Sequence, residues 1–300
     1  MPDDKFPPRG FGPRTREDTP PDEGWQDPAG LPLKYPDIHP SGIVLGHWGG
    51  DNIAIKDDRH VVTLAGSRSG KTRTVLIPNL LNYRGPCVVI DVKGELAKAT
   101  AKKREQFGPV RVLDPFDELK GLFPPSGYNV FSELAKSDLK AADAAQIADA
   151  LIVDNEKDRH WTDAAKNLLA GIILLLVRTK KRRATLGDLR NIVNQPPAQL
   201  MSYFKEMIAE GEHGDAGVEP TLINTGQLFK SYAEFENDKL VGWSKEMLSI
   251  LSTAINQTSR FDELSSVTGQ SSFSLSDIGP KNLTIYLVLP AMRMPSHRSW

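Results

Sequence analysis

Four short runs stand out along the chain because each is almost continuously apolar and rich in β-branched residues. They are HVVTLAG (60–66), CVVIDV (87–92), VRVLDP (110–115) and LTIYLVLP (283–290). Such runs are typical of strands in a parallel sheet that is covered on both faces. Helical patterns over 72–83 and 95–107 separate the first three runs, so the order β-α-β-α-β predicts an α/β fold with a parallel sheet. Pro78 falls inside the first of these helices, and we expect a kink near Ile77.

Residues 136–258 differ in composition from the segments before them, because they are rich in Ala, Leu, Lys and Glu. The stretches LKAADAAQIADALI and WTDAAKNLLAGIILLLVR have helical patterns, and no strand-like run interrupts them. Strand character returns only with LTIYLVLP. We therefore predict an all-α domain over 136–258 that is inserted into an α/β domain, whose first part covers 42–135 and which resumes over 259–300.

The first 41 residues predict a disordered, Pro-rich arm. Ten of the 22 prolines fall within residues 1–40, among charges and with almost no aliphatic clusters. Such a stretch cannot bury enough apolar surface to offset the entropy lost on ordering. The N-terminus lacks the basic and apolar pattern of a signal peptide, and the longest apolar run, 168–177, is about half the length of a membrane-spanning helix. We expect a cytoplasmic chain with no transmembrane segment.

Composition limits the kinds of partner and site. The 37 Lys and Arg residues balance 38 Asp and Glu residues, so any contact with nucleic acid must come from a local patch. The single cysteine, Cys87, excludes an internal disulfide and a zinc site with several thiolates, and it fits a reducing compartment. We interpret Lys102, Lys103 and Arg104 as a solvated helix face.

One local patch is the basic cluster that follows the apolar helix. Its side chains could contact phosphates of DNA or an acidic partner. A solvated helix end explains them equally well, because cations there interact favourably with the helix dipole. The cluster consists of Arg178, Lys180, Lys181, Arg182 and Arg183.

The segment 60–72 carries the clearest chemistry, because an apolar run leads into a loop of small residues that ends in Lys-Thr. This pattern is a Walker A loop, with Ala65 where the strict pattern has Gly. Small residues let backbone N–H groups converge on phosphate oxygens, and the next helix directs its positive end at them. Lys71 is expected to reach the β- and γ-phosphates as the catalytic cation, and the Thr72 hydroxyl to ligand Mg²⁺. The predicted ATP-binding residues are Ala65, Gly66, Ser67, Arg68, Ser69, Gly70, Lys71, Thr72 and Arg73.

Further motifs resemble those of the coupling-protein ATPases of type IV secretion systems, the conjugative DNA-transfer proteins. In order they are AGSRSGKT (65–72), IPNLL (77–81), VVIDVKGE (88–95), VLDPF (112–116), YNVF (128–131), HW (160–161) and TIYLVLP (284–290). The resemblance covers residues 42–300. It implies a RecA-like nucleotide-binding domain with an inserted all-α domain, assembled as a homo-hexamer that uses ATP and Mg²⁺ to move single-stranded DNA, or a relaxase–DNA complex, toward a secretion channel at the inner membrane.

The chain departs from this family pattern at two places. Many relatives carry N-terminal membrane helices, so attachment to the cytoplasmic face of the membrane is expected to be indirect here. The family's Walker B strand, which ends in Asp-Glu, follows the TIYLVLP strand, and no match to it occurs before Trp300. The chain is therefore interpreted as the N-terminal part of a coupling protein. A hydrolysis-deficient nucleotide-binding adaptor that recruits DNA-processing or effector proteins is the alternative.

Asp91 keeps two interpretations. It ends the run expected to neighbour the Walker A strand, and ligands bind at the carboxyl ends of parallel strands, so Asp91 is a candidate Mg²⁺ ligand. In the other interpretation it caps the helix that starts after Gly94.

Overall fold

The computed structural model describes residues 42–48, 51–56, 60–153, 159–213 and 219–294, and the predicted arm over 1–41 lies outside them. The chain divides into two compact units, residues 1–79 and 80–300. Within the described ranges, every helix is too short or too polar to cross a bilayer.

The first unit contains an antiparallel hairpin and the loop with the Walker A pattern. Strands β1 (Ile43–Trp48) and β2 (Asp51–Ile55) pair with a bulge between Val44 and Gly46. A π-helical turn (Thr72–Leu76) follows the loop and continues into α1 (Ile77–Asn82). The helical geometry therefore changes at Ile77, where Pro78 predicts a kink.

A parallel sheet organises the start of the second unit. Strand β7 (Thr284–Leu287) lies between β3 (Cys87–Ile90) and β4 (Val110–Leu113) and is parallel to both. Thr284 is opposite both Cys87 and Val110. This arrangement confirms three of the four predicted strands and the return of the chain to the sheet after the helical segment.

The fourth predicted strand was wrong. Residues 60–66 have no strand geometry, and the side chains of Val62 and Leu64 are 75% and 89% exposed. The described partner of β3 is β7, and the expectation that the 60–66 run neighbours the strand before Asp91 stays a prediction. An apolar, β-branched sequence favours a strand, but the strand needs a ladder of backbone hydrogen bonds to a neighbour.

Helix α2 (Glu95–Arg104) contributes an unexpected buried cation. Lys102 and Lys103 are exposed as predicted, but Arg104 is fully buried, so the prediction of a solvated Arg104 was wrong. Its guanidinium joins the end of α1 and the segment after it to the sheet by donating hydrogen bonds to the carbonyls of Leu80, Tyr83 and Gly85 and to the hydroxyl of Thr284. A planar group with five N–H donors suits such a set of separate acceptors.

Helices form most of the remaining second unit, and one of them lies at its centre. In α5 every residue from Leu168 to Val177 is buried, as expected for a helix with neighbours on all sides. A Cβ on Gly171 would lie 2.4 Å from the Thr225 side chain, so glycine permits the close approach of α8. The helices are α3 (Val130–Leu134), α4 (Lys140–Leu151), α5 (Arg159–Lys180), α6 (Leu186–Val193), α7 (Pro197–His213), α8 (Pro220–Ser231), α9 (Lys245–Thr258) and α10 (Ser265–Thr268).

A β-hairpin interrupts the segment that was predicted to be wholly helical. Strands β5 (Ala233–Glu236) and β6 (Lys239–Trp243) are antiparallel, which corrects the all-α prediction for 136–258 at this place. Asn237 and Asp238 connect the strands with positive φ values of 49° and 62°. Two such residues in succession are typical of a two-residue hairpin turn, so the Asn-Asp pair was the available sequence signal.

We expect Arg104→Met to lower the free energy of unfolding by about 3 kcal/mol, because it leaves several buried oxygens without a donor. Urea denaturation of the 300-residue chain measures this loss. The matched control is Lys102→Met on the exposed face of the same helix, which should change stability by less than about 0.5 kcal/mol. Equal effects of the two substitutions would contradict the structural role of Arg104.

Candidate nucleotide-binding site and basic turn

The loop with the Walker A pattern is built around two left-handed residues. The Ser69 N–H donates to the Gly66 carbonyl at 3.4 Å, which closes a turn. Arg68 has φ 60° and Gly70 has φ 89°. The left-handed region is unfavourable for a residue with a side chain, so Arg68 stores local strain of the kind that is concentrated at functional sites.

The Lys71 side chain folds back into this loop. Its Nζ donates to the Ala65 carbonyl at 2.6 Å and to the Gly66 carbonyl at 2.8 Å. These bonds hold the ammonium group beside the turn, while a Cβ on Gly66 would meet only open space. The loop therefore combines a positioned cation with backbone that a ligand can approach closely.

Helical structure begins directly after the lysine. Thr74 anchors the first turn because both its N–H and its hydroxyl donate to the Gly70 carbonyl, at 2.8 and 3.0 Å. Thr72 is half-buried at the start of this helix, and Arg73 next to it is exposed. Backbone N–H groups at a helix start, preceded by left-handed residues, form a nest for anions. The residues present therefore fit the phosphates of a nucleotide, with the Thr72 hydroxyl available as a metal ligand.

Asn79 has a positioning role that the sequence analysis missed. Its side chain pairs with the backbone of Val44 like a neighbouring strand, because Oδ1 accepts from the Val44 N–H at 2.6 Å and Nδ2 donates to the Val44 carbonyl at 2.9 Å. Nδ2 also donates to the Val75 carbonyl at 2.8 Å. Asn79 thus fixes the helix that follows the loop against β1. Its place in the IPNLL motif was the only sequence signal.

The geometry of Asp91 matches the capping interpretation. The carboxylate is 3% exposed, and Oδ2 accepts a hydrogen bond from the Ala97 N–H at 2.8 Å, in the first turn of α2. This bond accounts for the burial of the carboxylate. Its role as a Mg²⁺ ligand stays a prediction. At the start of β3, burial raises the pKa of the Cys87 thiol, although Arg104 acts to lower it.

The predicted basic cluster separates into two groups. Arg178 donates to the Glu210 carbonyl at 3.2 Å, and Lys180 forms an ion pair with Asp188 at 2.6 Å. Lys181, Arg182 and Arg183 form a short 3₁₀ turn with exposed side chains, which begins at a left-handed Lys181 with φ 54°. We call this segment the basic turn.

Two interactions hold the basic turn in place. The buried Asn129 side chain donates to the carbonyl of Ala184, directly after the turn, at 2.7 Å. Thr185 and Asp188 then form a reciprocal cap at the start of α6. Partial burial acts to raise the pKa of Asp188, but hydrogen bonds from Lys180 and Thr185 outweigh it and hold that pKa below its ordinary value.

The family model for type IV secretory system conjugative DNA transfer proteins matches residues 34–299, so the chain belongs to this family. Among curated proteins, the conjugal transfer protein TraG of Escherichia coli is 25% identical over 228 residues, which cover 70% of this chain and 34% of TraG. The protein VirD4 of Rhizobium rhizogenes is 24% identical over 82% of this chain and 36% of VirD4. The chain thus spans about a third of the length of these relatives.

A comparison with solved structures shows the same fold. An unbound form of the bacterial conjugative coupling protein TrwB, at 15% identity, aligns with 91% of this chain and 55% of its own, with a TM-score of 0.58. TrwB has also been solved with ADP and Mg²⁺, in a structure that covers 72% of this chain at a TM-score of 0.38. The fold is mixed α/β, with a parallel sheet and many helices, and it resembles that of TrwB.

We expect Asp188→Asn to destabilise the cap of α6 by about 1 kcal/mol at neutral pH. The lowered pKa of Asp188 stabilises the folded state above the unfolded-state pKa of about 4, and this contribution is lost as the pH falls through the lower folded-state pKa. Urea unfolding at neutral pH and near pH 3 should therefore show a smaller acid-induced loss in the variant than in the wild type. Asp163→Asn, at a more exposed ion pair with Arg159, is the control and should keep the wild-type acid response.

Proposed function

We propose that this chain is the nucleotide-binding part of a coupling protein that energises the transfer of single-stranded DNA, protein or both to a type IV secretion channel. The observation that carries the proposal is the loop over 65–72, where left-handed Arg68 and Gly70, the positioned Lys71 and a helix start form a phosphate cradle. Family membership supports the cargo and the channel as partners.

The same proposal assigns roles to the residues of the loop. Bound ATP would supply the phosphoanhydride bond whose hydrolysis drives transfer. The backbone N–H groups from Ser67 to Lys71 would contact the phosphates, and Lys71 would exchange its two carbonyl acceptors for phosphate oxygens. The Thr72 hydroxyl would bind Mg²⁺. Arg68 and Arg73 would add positive charge at the rim of the site.

The assembly and location in this proposal come from the family resemblance. They comprise a RecA-like nucleotide-binding domain, a homo-hexamer and a position at the cytoplasmic face of the inner membrane through other proteins of the channel. The basic cluster over 178–183 would contact DNA or a protein partner there.

Lys71→Ala is expected to weaken the binding of a fluorescent ATP analogue by roughly 30-fold, because a charge-assisted hydrogen bond contributes about 2 kcal/mol. Thr72→Ala should mainly reduce the enhancement of binding by Mg²⁺. Fluorescence titration with and without Mg²⁺ measures both effects. Lys98→Ala, on the exposed surface of α2, is the matched control and should bind like the wild type. Unchanged affinity in the Lys71 variant would contradict the nucleotide site.

We expect the 300-residue chain to bind Mg·ATP but to hydrolyse it near the background rate. A phosphate cradle alone lacks a carboxylate that orients the nucleophile, and losing such groups costs on the order of 10² to 10³ in rate for each group. A phosphate-release assay on folded protein measures hydrolysis. Turnover at ordinary motor rates that disappears in Lys71→Ala would contradict this expectation, and Asp91→Asn and Glu95→Gln would then identify the carboxylate. Binding without turnover would also suit the adaptor alternative.

A further inference from the structure

The basic turn forms one wall of a groove in the second unit that we call the arginine groove. Its volume is about 650 Å³, and its lining includes Glu133, Lys136, Arg182, Arg183, Gln270 and Ser271. The segment 269–274, Gly-Gln-Ser-Ser-Phe-Ser, lines the opposite wall. The sequence analysis gave this segment no role.

The carboxylates that line the groove are paired with lysines, whereas its two arginines have no ion pair within the described residues. Glu133 is paired with Lys136 at 3.1 Å, and Asp277 is paired with Lys281 at 3.0 Å, so both carboxylates are neutralised. Arg182 and Arg183 have no ion pair or hydrogen bond with the other residues that the structure describes. Two uncompensated guanidinium groups therefore dominate the electrostatic character of the groove, which favours an anion with more than one negative charge.

The position of the two arginines is fixed by their surroundings. The Asn129 bond to Ala184 holds the turn from one side, and the Lys180–Asp188 pair and the cap of α6 hold it from the other. The opposite wall is held by Ser272, whose hydroxyl accepts from the Gly127 N–H at 3.0 Å, and by Ser271, which accepts from the Asn129 N–H at 2.9 Å. Asn129 thus joins both walls, and the spacing of the groove is preorganised.

Neutral donors and an aromatic ring add to the two charges. The Gln270 side chain is exposed in the groove, and its amide can donate to an anion without adding charge. Phe273, which stacks on Tyr128 with ring centroids 5.4 Å apart, is half-buried in the same wall. Arginines with amide donors beside an aromatic ring are the combination used to hold a phosphodiester backbone while a base contacts the ring. Carboxylate side chains have no planar face that stacks on the ring, so single-stranded DNA matches the lining better than a run of acidic residues does.

We infer that the arginine groove is a binding site for the phosphodiester backbone of single-stranded DNA, with Arg182 and Arg183 on the phosphates and Gln270 as a neutral donor. This inference rests on the proposed function, because it takes DNA as the cargo. Of the five cations in the basic cluster, the inference assigns DNA contact to these two arginines, and it adds the segment 269–274 to the DNA-binding site. Arg178 and Lys180 serve the internal structure.

The test is the anisotropy of a fluorescein-labelled oligothymidylate of about 20 nucleotides with the 300-residue chain, titrated between about 50 and 200 mM salt. Arg182→Gln/Arg183→Gln should weaken binding about tenfold at low salt and reduce the magnitude of the salt slope by about 1.4, the value for two lost phosphate contacts to a single strand. Gln270→Ala should weaken binding about threefold and leave the slope unchanged.

The matched control is Lys102→Gln/Lys103→Gln, which removes the same charge from an exposed helix face and should weaken binding less than twofold. Equal losses in the two double variants, or an unchanged salt slope in the arginine variant, would overturn the site. Displacement of the labelled strand by polyglutamate as effectively as by unlabelled oligothymidylate would overturn the choice of DNA in favour of an acidic peptide.

ATP-analogue binding by the same preparations separates this inference from the proposed function. Both double variants should bind the analogue like the wild type, which also shows that they are folded. Wild-type protein that binds the analogue but not DNA overturns the arginine groove and leaves the nucleotide site intact. Protein that binds DNA through the arginines but shows no dependence on Lys71 for the analogue overturns the nucleotide site alone.

Discussion

The burial of α5 on all sides is the constraint on which the second unit depends. Ten consecutive residues, Leu168–Val177, are shielded from water, and a helix can reach this state only when other elements surround it. Helices α4, α6, α8 and α9 pack against it, so their relative positions follow from one apolar helix. The basic turn begins where this helix ends, so its cations directly follow the buried centre of the unit.

Local patterns in the sequence predicted the type of most helices and strands, but not which neighbour each of them pairs with. The runs at 87–92, 110–115 and 283–290 formed one parallel sheet, in which most of β7 is buried but Val88 and Ile90 of β3 are 55% and 61% exposed. The same pattern at 60–66 gave no strand, because the composition of a segment does not specify which neighbour will complete its hydrogen bonds. The helical segment was recognised, and the hairpin at Asn237 was not, because its two strands are only four and five residues long.

Among the candidate site residues, too, some could be predicted from local sequence and others depend on contacts that are distant in the chain. The loop from Ala65 to Thr72 was predictable, since small residues followed by a lysine at this fixed spacing are a phosphate-binding motif that can be recognised from sequence alone. Arg104 was assigned to the surface because it follows two lysines, and only the tertiary structure brings four oxygens around its guanidinium. The division of the basic cluster was equally hidden, since Asp188 and Glu210 lie 8 and 32 residues from the cations that they bind. Asn79 acts through a contact 35 residues away, which no local pattern specifies.

The central position of β7 also has a consequence for synthesis on the ribosome. Strands β3 and β4 leave the exit tunnel early, but the strand that separates them is encoded about 170 residues after β4, as the chain positions of Leu113 and Thr284 show. The two early strands must remain without their shared partner while α3 to α10 are made, and chain elongation at roughly 5 to 20 residues per second makes this wait about ten seconds or longer. The helices can pack within that time through local contacts. A nascent chain arrested before Thr284 should therefore carry a folded helical part together with two unpaired strands, which is the form in which this protein is most exposed to aggregation and to capture by chaperones.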